Sequence, residues 1–178
     1  SALFTKGDRI IVGAVTGTEV LGAYGAITSV VSKINQLSAT VVQPILPSIS
    51  GLSSRSNEAS DILIRHYRHA IELNAAVSFG LSGTMTLLAP FLSMVLIDEQ
   101  SAELVNSLVL ASIIYGLYSL TAVPWYTLLA RGRTMTVFAV NILASTLALL
   151  LITIGANQFG LIGAVTGNIG YMSILLLY

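Results

Sequence analysis

Three charged residues lie within the apolar stretches at the start of the chain, and the two basic ones could bind an anionic ligand at membrane depth. Asp8 and Arg9 stand near the beginning of the first stretch, and Lys33 interrupts the second. A charge inside a bilayer is costly, so such residues usually face a cavity or a partner and mark a functional site. An ion pair between Asp8 and Lys33 would lower this cost and leave Arg9 uncompensated. We therefore predict a cavity of net positive charge that attracts an anionic group.

Lys33 belongs to a row of polar side chains on one side of the second stretch. The members recur at helical spacing and are Ser29, Lys33, Gln36, Thr40 and Gln43. We predict that this row lines the same cavity, where its amides and hydroxyls offer hydrogen bonds to a ligand. Pro44 and Pro47 end the stretch and predict either a hinge or simple termination of the helix.

The composition is that of a membrane protein. Hydrophobic residues make up 54% of the chain and charged residues 9%, with a mean hydropathy of +0.85. An ordinary soluble domain has roughly 25% charged residues. The apolar runs are continuous and lack period-two alternation, which favours helices over a barrel. The sequence therefore predicts an all-α integral membrane protein.

Six apolar segments are candidates to cross the membrane, for which a helix needs about 20 residues. They cover residues 4–17, 21–46, 70–97, 102–129, 135–154 and 161–178. We predict a single six-helix membrane lobe over residues 1–178. Because the chain lacks an initiator Met, has a short first span and ends in an apolar run, we expect it to be an excerpt of a longer protein.

The loops between these segments alternate in charge. Basic residues follow the second and fourth segments, at Arg55, Arg65, Arg68, Arg131 and Arg133, whereas acidic residues occupy the alternate loops, at Glu19, Asp98, Glu99 and Glu103. Those alternate loops contain no Lys or Arg. By the positive-inside rule, the basic loops and both ends of the chain are predicted to be cytoplasmic.

The depth of the charges depends on where the first turn lies. If that turn centres near Val20, Asp8 lies about 12 residues before it and Lys33 about 13 after, roughly 18 to 20 Å of helix on either side. We predict that Asp8, Arg9 and Lys33 share a depth near the midplane and that Lys33 faces the lobe interior. The alternative is a buried ion pair that only fixes the register of two helices.

Small residues and proline predict details of helix packing. The pentapeptide GAVTG occurs twice, at residues 13–17 and 163–167, and each copy contains a GxxxG motif. Because glycines let two backbones approach closely, we predict close packing of helices at both copies. Pro124 predicts a kink in the fourth span.

Catalytic and cofactor motifs are absent from the sequence. There is no HExxH, no pair of intramembrane aspartates and no glycine-rich phosphate loop. His66, His69 and Glu72 could share a helix face, but an interfacial role is favoured in this Arg-rich segment. The chain has no Cys, and its eight basic residues equal its eight acidic ones, which gives no basic excess for nucleic acid. We predict a protein that is not an enzyme and needs no metal or cofactor.

The order of several short motifs resembles a known family. The chain opens with DRIIVG at residues 8–13 and LGAY at 21–24, and later contains LARGR at 129–133 and FGLIGA at 159–164. In this order they resemble the C-terminal half of bacterial polysaccharide and lipid-linked oligosaccharide flippases. These belong to the multidrug, oligosaccharidyl-lipid and polysaccharide exporter superfamily.

The resemblance implies a transporter of two six-helix lobes around a central cavity that opens alternately to each side of the bacterial inner membrane. This chain would be one lobe, and the N-terminal lobe of the same protein its partner. The implied substrate is a sugar chain on a polyprenyl diphosphate, whose lipid tail contacts membrane lipid. Matched by position, Arg9 and Lys33 would meet the diphosphate.

Two alternatives remain open from the sequence. One is an ion-coupled exporter of small molecules or drugs from the same superfamily, with Asp8 as the coupling carboxylate. The excess of Arg9 and Lys33 over Asp8 argues against it. The other is a membrane scaffold subunit that transports nothing, in which the polar row only binds a neighbouring helix.

Overall fold

The structure, a computed structural model, describes residues 2–45, 58–97 and 101–176, with side chains over 6–44, 64–96 and 101–172. The elements are α1 (Ala2–Thr16), α2 (Thr18–Val42), a 3₁₀ turn (Gln43–Ile45), α3 (Glu58–Leu87), α4 (Ala89–Ile97), α5 (Ala102–Ser119), α6 (Ala122–Ala130), α7 (Thr134–Gly167) and α8 (Ile169–Leu176). The described ranges contain no β-strand, so the predicted all-α class is confirmed.

Two helical segments of the described chain are long and apolar enough to cross a membrane. They are Ala102–Ala130 and Thr134–Met172, and the pair Ile64–Leu87 with Ala89–Leu96 adds a third if it counts as one bent span. These segments identify a multi-pass membrane protein. α2 has 25 residues but is not among them, because its polar row lowers its apolarity.

A tight turn at Gly17 folds α1 back against α2. Gly17 has a φ of 88° and a ψ of 180°, a conformation that is almost restricted to glycine. Gly13 allows the close approach of Leu21, whose Cδ2 would lie 2.9 Å from a Cβ at residue 13. In this copy of GAVTG, the second glycine therefore forms a turn, and its predicted packing role is wrong.

A second reversal divides α7 into two antiparallel arms. Gly160 has a φ of 58° and a ψ of −131°, and the helix continues on both sides of it. A Cβ at Gly167 would lie 2.5 Å from the Cα of Ile152, and Gly163 packs directly against the backbone of Gly155. The packing predicted for the second GAVTG is thus confirmed. The first arm runs to residue 159, beyond the predicted end at 154, because the turn needs only one residue.

Two proline residues accompany breaks in the longer helical segments. The axes of Ile64–Leu87 and Ala89–Leu96 differ by 67°, directly before Pro90. Pro90 has no N–H to bond the carbonyl of Thr86, which favours a bend there. The predicted kink at Pro124 appears as a turn at Leu120 and Thr121, where α5 ends and α6 begins. The third predicted span is therefore bent, and its helix begins at residue 58 instead of 70.

Buried hydroxyl and amide groups join α2, α3 and α5. Asn74 is 1% exposed and donates from Nδ2 to the carbonyl of Ser119 at 3.0 Å. Ser38 donates to the Asn74 side chain, and its hydroxyl lies 3.2 Å from that of Ser78. Since these polar groups bond to one another, the helices can hold them away from water without leaving donors unpaired.

The described charged loops lie at opposite ends of the helices. At one end, Val42, Ala70, Ala122 and Val123 form a small hydrophobic cluster, and the basic residues Arg65, Arg68, Arg131 and Arg133 lie near it in sequence. At the other end, a Cβ at Gly160 would lie 3.9 Å from Oε1 of Glu103. The basic loop residues and Glu103 therefore lie at opposite ends of the helices, and Glu72 pairs with Arg68 at the basic end. Arg55, Asp98 and Glu99 lie outside the described residues.

Candidate functional site

Asp8 is buried at the junction of α1, α2 and the end of α7. Its carboxylate, in a residue 9% exposed, accepts hydrogen bonds from the hydroxyl of Tyr24 at 3.1 Å and from the backbone N–H of Arg9 at 2.8 Å. The Tyr24 hydroxyl accepts a bond from Nδ2 of Asn168, also at 3.1 Å. This chain of polar hydrogen bonds holds the N-terminal hairpin against the end of the second arm of α7.

Arg9 points away from this chain and is exposed. Its Nη2 donates to Oγ of Ser29 at 2.9 Å, and the Ser29 hydroxyl donates to the carbonyl of Gly25 at 2.6 Å. Arg9 therefore bridges from α1 to the polar row of α2. The guanidinium retains further N–H donors for a bound anion.

Lys33 lies on the exposed side of α2, and Asp8 forms no ion pair with it in the described structure. Its Nζ instead donates to Oε1 of Gln36 at 3.1 Å. The predicted ion pair is therefore wrong, as is the prediction that Lys33 faces the lobe interior.

The position of the first turn explains this difference. The turn is at Gly17, which places Asp8 nine residues before it and Lys33 sixteen residues after it. At 1.5 Å per residue, the two differ in depth by about 10 Å. The equal depth predicted from a turn near Val20 is wrong, and the residue opposite Asp8 is Tyr24.

All five members of the polar row are exposed. Ser29, Lys33, Gln36 and Thr40 lie on α2, and Gln43 begins the 3₁₀ turn that follows it. The opposite side of α2 is buried and includes Ile27, Val31 and Ile34. Below, the term polar face means these five residues together with Arg9.

A hydrogen bond joins the end of α2 to α6. Nε2 of Gln43 donates to the hydroxyl of Tyr126 at 3.1 Å, and the hydroxyl of Thr40 donates to the carbonyl of Gln36 at 2.9 Å. The α-helix ends at Val42, directly before the 3₁₀ turn that contains Pro44. Pro44 thus follows the helix end, Pro47 lies outside the described residues, and the hinge stays a prediction.

A cavity of about 490 Å³ opens beside the polar face, between α2, α5 and α7. Arg9, Asp8 and Gln36 lie in its wall. A smaller cavity of about 110 Å³ extends toward α6 and reaches Trp125 and Tyr126. The two cavities share three wall residues, which are Asn35, Tyr118 and Asn141. The two adjacent cavities are together called the lobe cavity below.

Several wall residues of the lobe cavity were not among the sequence candidates. They are the amides Asn35, Asn141 and Asn168 and the tyrosines Tyr115, Tyr118 and Tyr171. An amide within an apolar helix is a recognisable signal, since it needs a partner. Asn141 stands in the apolar run 135–154 and could have been found this way. The tyrosines could not, because their positions depend on how α5 and α8 pack.

Comparison with protein-family models, curated proteins and solved structures gave no match to this chain. The assignment of function therefore rests on the chemistry of the polar face and the lobe cavity.

Proposed function

We propose that this chain is one six-span lobe of a flippase that moves a lipid-linked oligosaccharide or polysaccharide precursor across the bacterial cytoplasmic membrane by alternating access. The observation that carries the proposal is the polar face. It is exposed in the lobe and positively charged, and it runs along α2 with Arg9 joining it from α1. The N-terminal lobe of the same protein would cover it and complete a central cavity.

The exposed surface elsewhere is of a different kind. Large apolar side chains are exposed there, including Phe79 at 55%, Leu87 at 83%, Phe91 at 63%, Leu143 at 60% and Phe159 at 68%. Lipid tails can cover these side chains, but they cannot hydrogen-bond the amides, hydroxyls and charges of the polar face. Water, another lobe or a polar ligand must therefore contact it. This contrast supports a water-accessible path beside α2.

The charges on this path favour an anionic substrate. Arg9 and Lys33 are exposed, whereas Asp8 is buried and bonded to Tyr24. A ligand at the polar face would meet two cations before it met a carboxylate. A guanidinium and an ammonium are suited to bind the oxygens of a diphosphate.

The orientation follows from the loop charges. The basic residues near one end of the helices would face the cytoplasm, and Glu103 and Gly160 the outside. The ends of this chain would then be cytoplasmic, and the substrate would move from the cytoplasmic to the outer leaflet.

Reversing the charge of Lys33 tests the proposal. We expect Lys33→Glu to lower surface export of the glycan at least about tenfold, because a like charge opposite the diphosphate costs several kcal/mol. Arg68→Glu makes the same charge change on a side chain that is 81% exposed and pairs with Glu72, and it should leave export nearly unchanged. Both variants are expressed in cells that lack the native transporter, and membrane levels are measured by immunoblot. Full export by Lys33→Glu at normal membrane level would contradict the proposal.

One observation favours a second candidate, an ion-coupled exporter of small cationic molecules. Asp8 is buried and is not ion-paired with any described Lys or Arg. A carboxylate that binds a coupling ion would have the same two properties. Drug resistance that depends on a proton or sodium gradient and is lost in Asp8→Asn would support this candidate.

The accessibility of the polar face to water distinguishes a transporter from a scaffold without a transport path. Cysteine introduced at Ser29, Gln36 or Gln43 should react with a water-soluble thiol reagent if the polar face lines a wet cavity. Protection of all three positions in the full-length protein would favour a helix that is permanently covered by a neighbour.

A further inference from the structure

We propose that the lobe cavity is a binding site for an uncharged sugar unit. It lies beside the polar face that meets the diphosphate, and the two share Arg9 and Gln36. This inference rests on the proposed function and names the part of the substrate that enters the lobe itself. The site lies between α2, α5 and α7, beside the polar face. Its larger part, of about 490 Å³, falls within the range of small-molecule sites.

Aromatic rings form one wall of the cavity. Tyr115 and Tyr118 meet edge to face with ring centroids 6.3 Å apart, and Tyr118 and Tyr171 are tilted at 6.4 Å. Trp125 and Tyr126 continue this aromatic lining into the smaller part. A sugar ring presents C–H bonds on its faces and hydroxyls at its edge, so it packs well on such rings. Tyrosine and tryptophan also supply polar groups beside their apolar surfaces.

Amides with free hydrogen-bonding groups also line the cavity. Asn35 and Asn141 line both parts of the cavity, and neither side chain forms a hydrogen bond with the described residues. Oδ1 of Asn168, in a residue only 3% exposed, also lacks a partner in the described structure. Asn35 and Asn141 offer both donors and acceptors that suit sugar hydroxyls, whereas Asn168 offers only its Oδ1 acceptor. At membrane depth such groups need a partner, which water or a ligand must supply.

The charges of the cavity give no net attraction for a strongly anionic occupant. Asp8 and Arg9 both lie in the wall and balance each other, whereas Lys33 is outside it. A phosphate would therefore gain more at the polar face, where Lys33 adds to Arg9, than inside the cavity beside Asp8. A small organic cation would meet Asp8, but it would leave the free amides of Asn35 and Asn141 unpaired. An uncharged polyhydroxylated ring can hydrogen-bond the free amides and brings no charge beside Asp8 and Arg9.

Trp125 gives a direct reporter of binding. The full-length protein is labelled with 5-fluorotryptophan and placed in phospholipid nanodiscs, without detergents that carry sugar headgroups. The fluorine resonance of Trp125 is assigned as the signal that disappears in Trp125→Phe. Two neutral trisaccharides, maltotriose and triacetylchitotriose, serve as probes, and tetraphenylphosphonium serves as a cationic probe. We expect at least one trisaccharide, and not the cation, to shift the Trp125 resonance saturably.

The wall amides should control this affinity. Asn141→Leu and Asn35→Leu should each weaken the saturable shift about tenfold, the loss expected for one or two hydrogen bonds to the ligand. Asn157→Leu is the matched control, because Asn157 is an exposed amide on the same helix as Asn141 and does not line the cavity. Tyr118→Phe, which keeps the ring, should have a smaller effect than Asn141→Leu. Thermal unfolding of each variant separates weakened binding from misfolding.

The outcomes are distinct from those of the export test. A saturable trisaccharide shift that Asn141→Leu and Asn35→Leu weaken supports the sugar site, even if Lys33→Glu still exports and the flippase proposal fails. No saturable shift with either trisaccharide overturns the sugar site, as does a shift that both amide variants leave unchanged. A shift with tetraphenylphosphonium alone also overturns it and favours the cationic exporter.

Discussion

Gly167→Leu should disrupt the C-terminal hairpin and give the largest loss of stability of any variant considered. Because a Cβ at this position would lie 2.5 Å from both the N and Cα of Ile152, the clash is with backbone, which no change of rotamer relieves. Overpacking of a core costs about 1–3 kcal/mol and sometimes more, and we expect the upper end or beyond. The two arms of α7 would have to separate, and the bond from Asn168 to Tyr24 would be lost with them.

Gly80→Leu is the matched control for this prediction. Gly80 lies within α3, and a Cβ there would meet no atom within 4 Å. A side chain at this site should be neutral or stabilising, since glycine in a helix interior costs about 1 kcal/mol relative to alanine. The thermal midpoint of the purified protein and its proteolysis in membranes measure both variants. Equal stability of Gly167→Leu and Gly80→Leu would show that the arms are not packed as described.

Asp8→Leu should be the second most damaging substitution. It removes the acceptor of the buried Tyr24 hydroxyl, and an unpaired buried donor costs about 1–3 kcal/mol. Because Tyr24 also accepts from Asn168, the loss should loosen the contact between the two hairpins. Asp8→Asn keeps an oxygen at this position and should cost much less. Glu19→Leu, which removes an exposed carboxylate, should have little effect.

Thermal unfolding of the three variants measures this order of stability, and export assays give a separate result. Export that survives in Asp8→Asn and fails in Asp8→Leu assigns Asp8 a positioning role. Export that fails in both, with Asp8→Asn stably folded, assigns a role to the carboxylate charge itself. If Asp8→Leu unfolds no more readily than Glu19→Leu, the polar chain through Tyr24 does not join the hairpins.

Local patterns in the sequence predicted the parts of the fold that depend on local spacing. The polar row on α2 follows from a period that any regular helix must repeat, so its common face could be predicted. The reversal before the second GAVTG also lay within a predicted loop. The same pentapeptide at residues 13–17 shows the limit of such patterns. Gly17 forms a turn and Gly167 packs against a helix, and only the surrounding fold decides between these uses.

The pairing of charges could not be predicted, because it depends on the position of one turn. A shift of the turn from Val20 to Gly17 changes the relative depth of two helices and replaces Lys33 by Tyr24 opposite Asp8. The lobe cavity was missed for a related reason. Its wall combines Asn35, Tyr118 and Asn141 from three helices, and no spacing within one helix can indicate such a group.

The polar face also has a consequence for how the protein enters its membrane. α1 and α2 carry Lys6, Asp8, Arg9 and Lys33, and a charge at a helix centre costs about 2.5–3.5 kcal/mol on the scale for translocon insertion. α5 and α7, which are made later, are far more apolar. We therefore expect α1 and α2 to insert stably in the bilayer only when α5 and α7 are present to pack against them. A glycosylation reporter in the turn at Gly17 should then be modified efficiently only when the chain extends through α7.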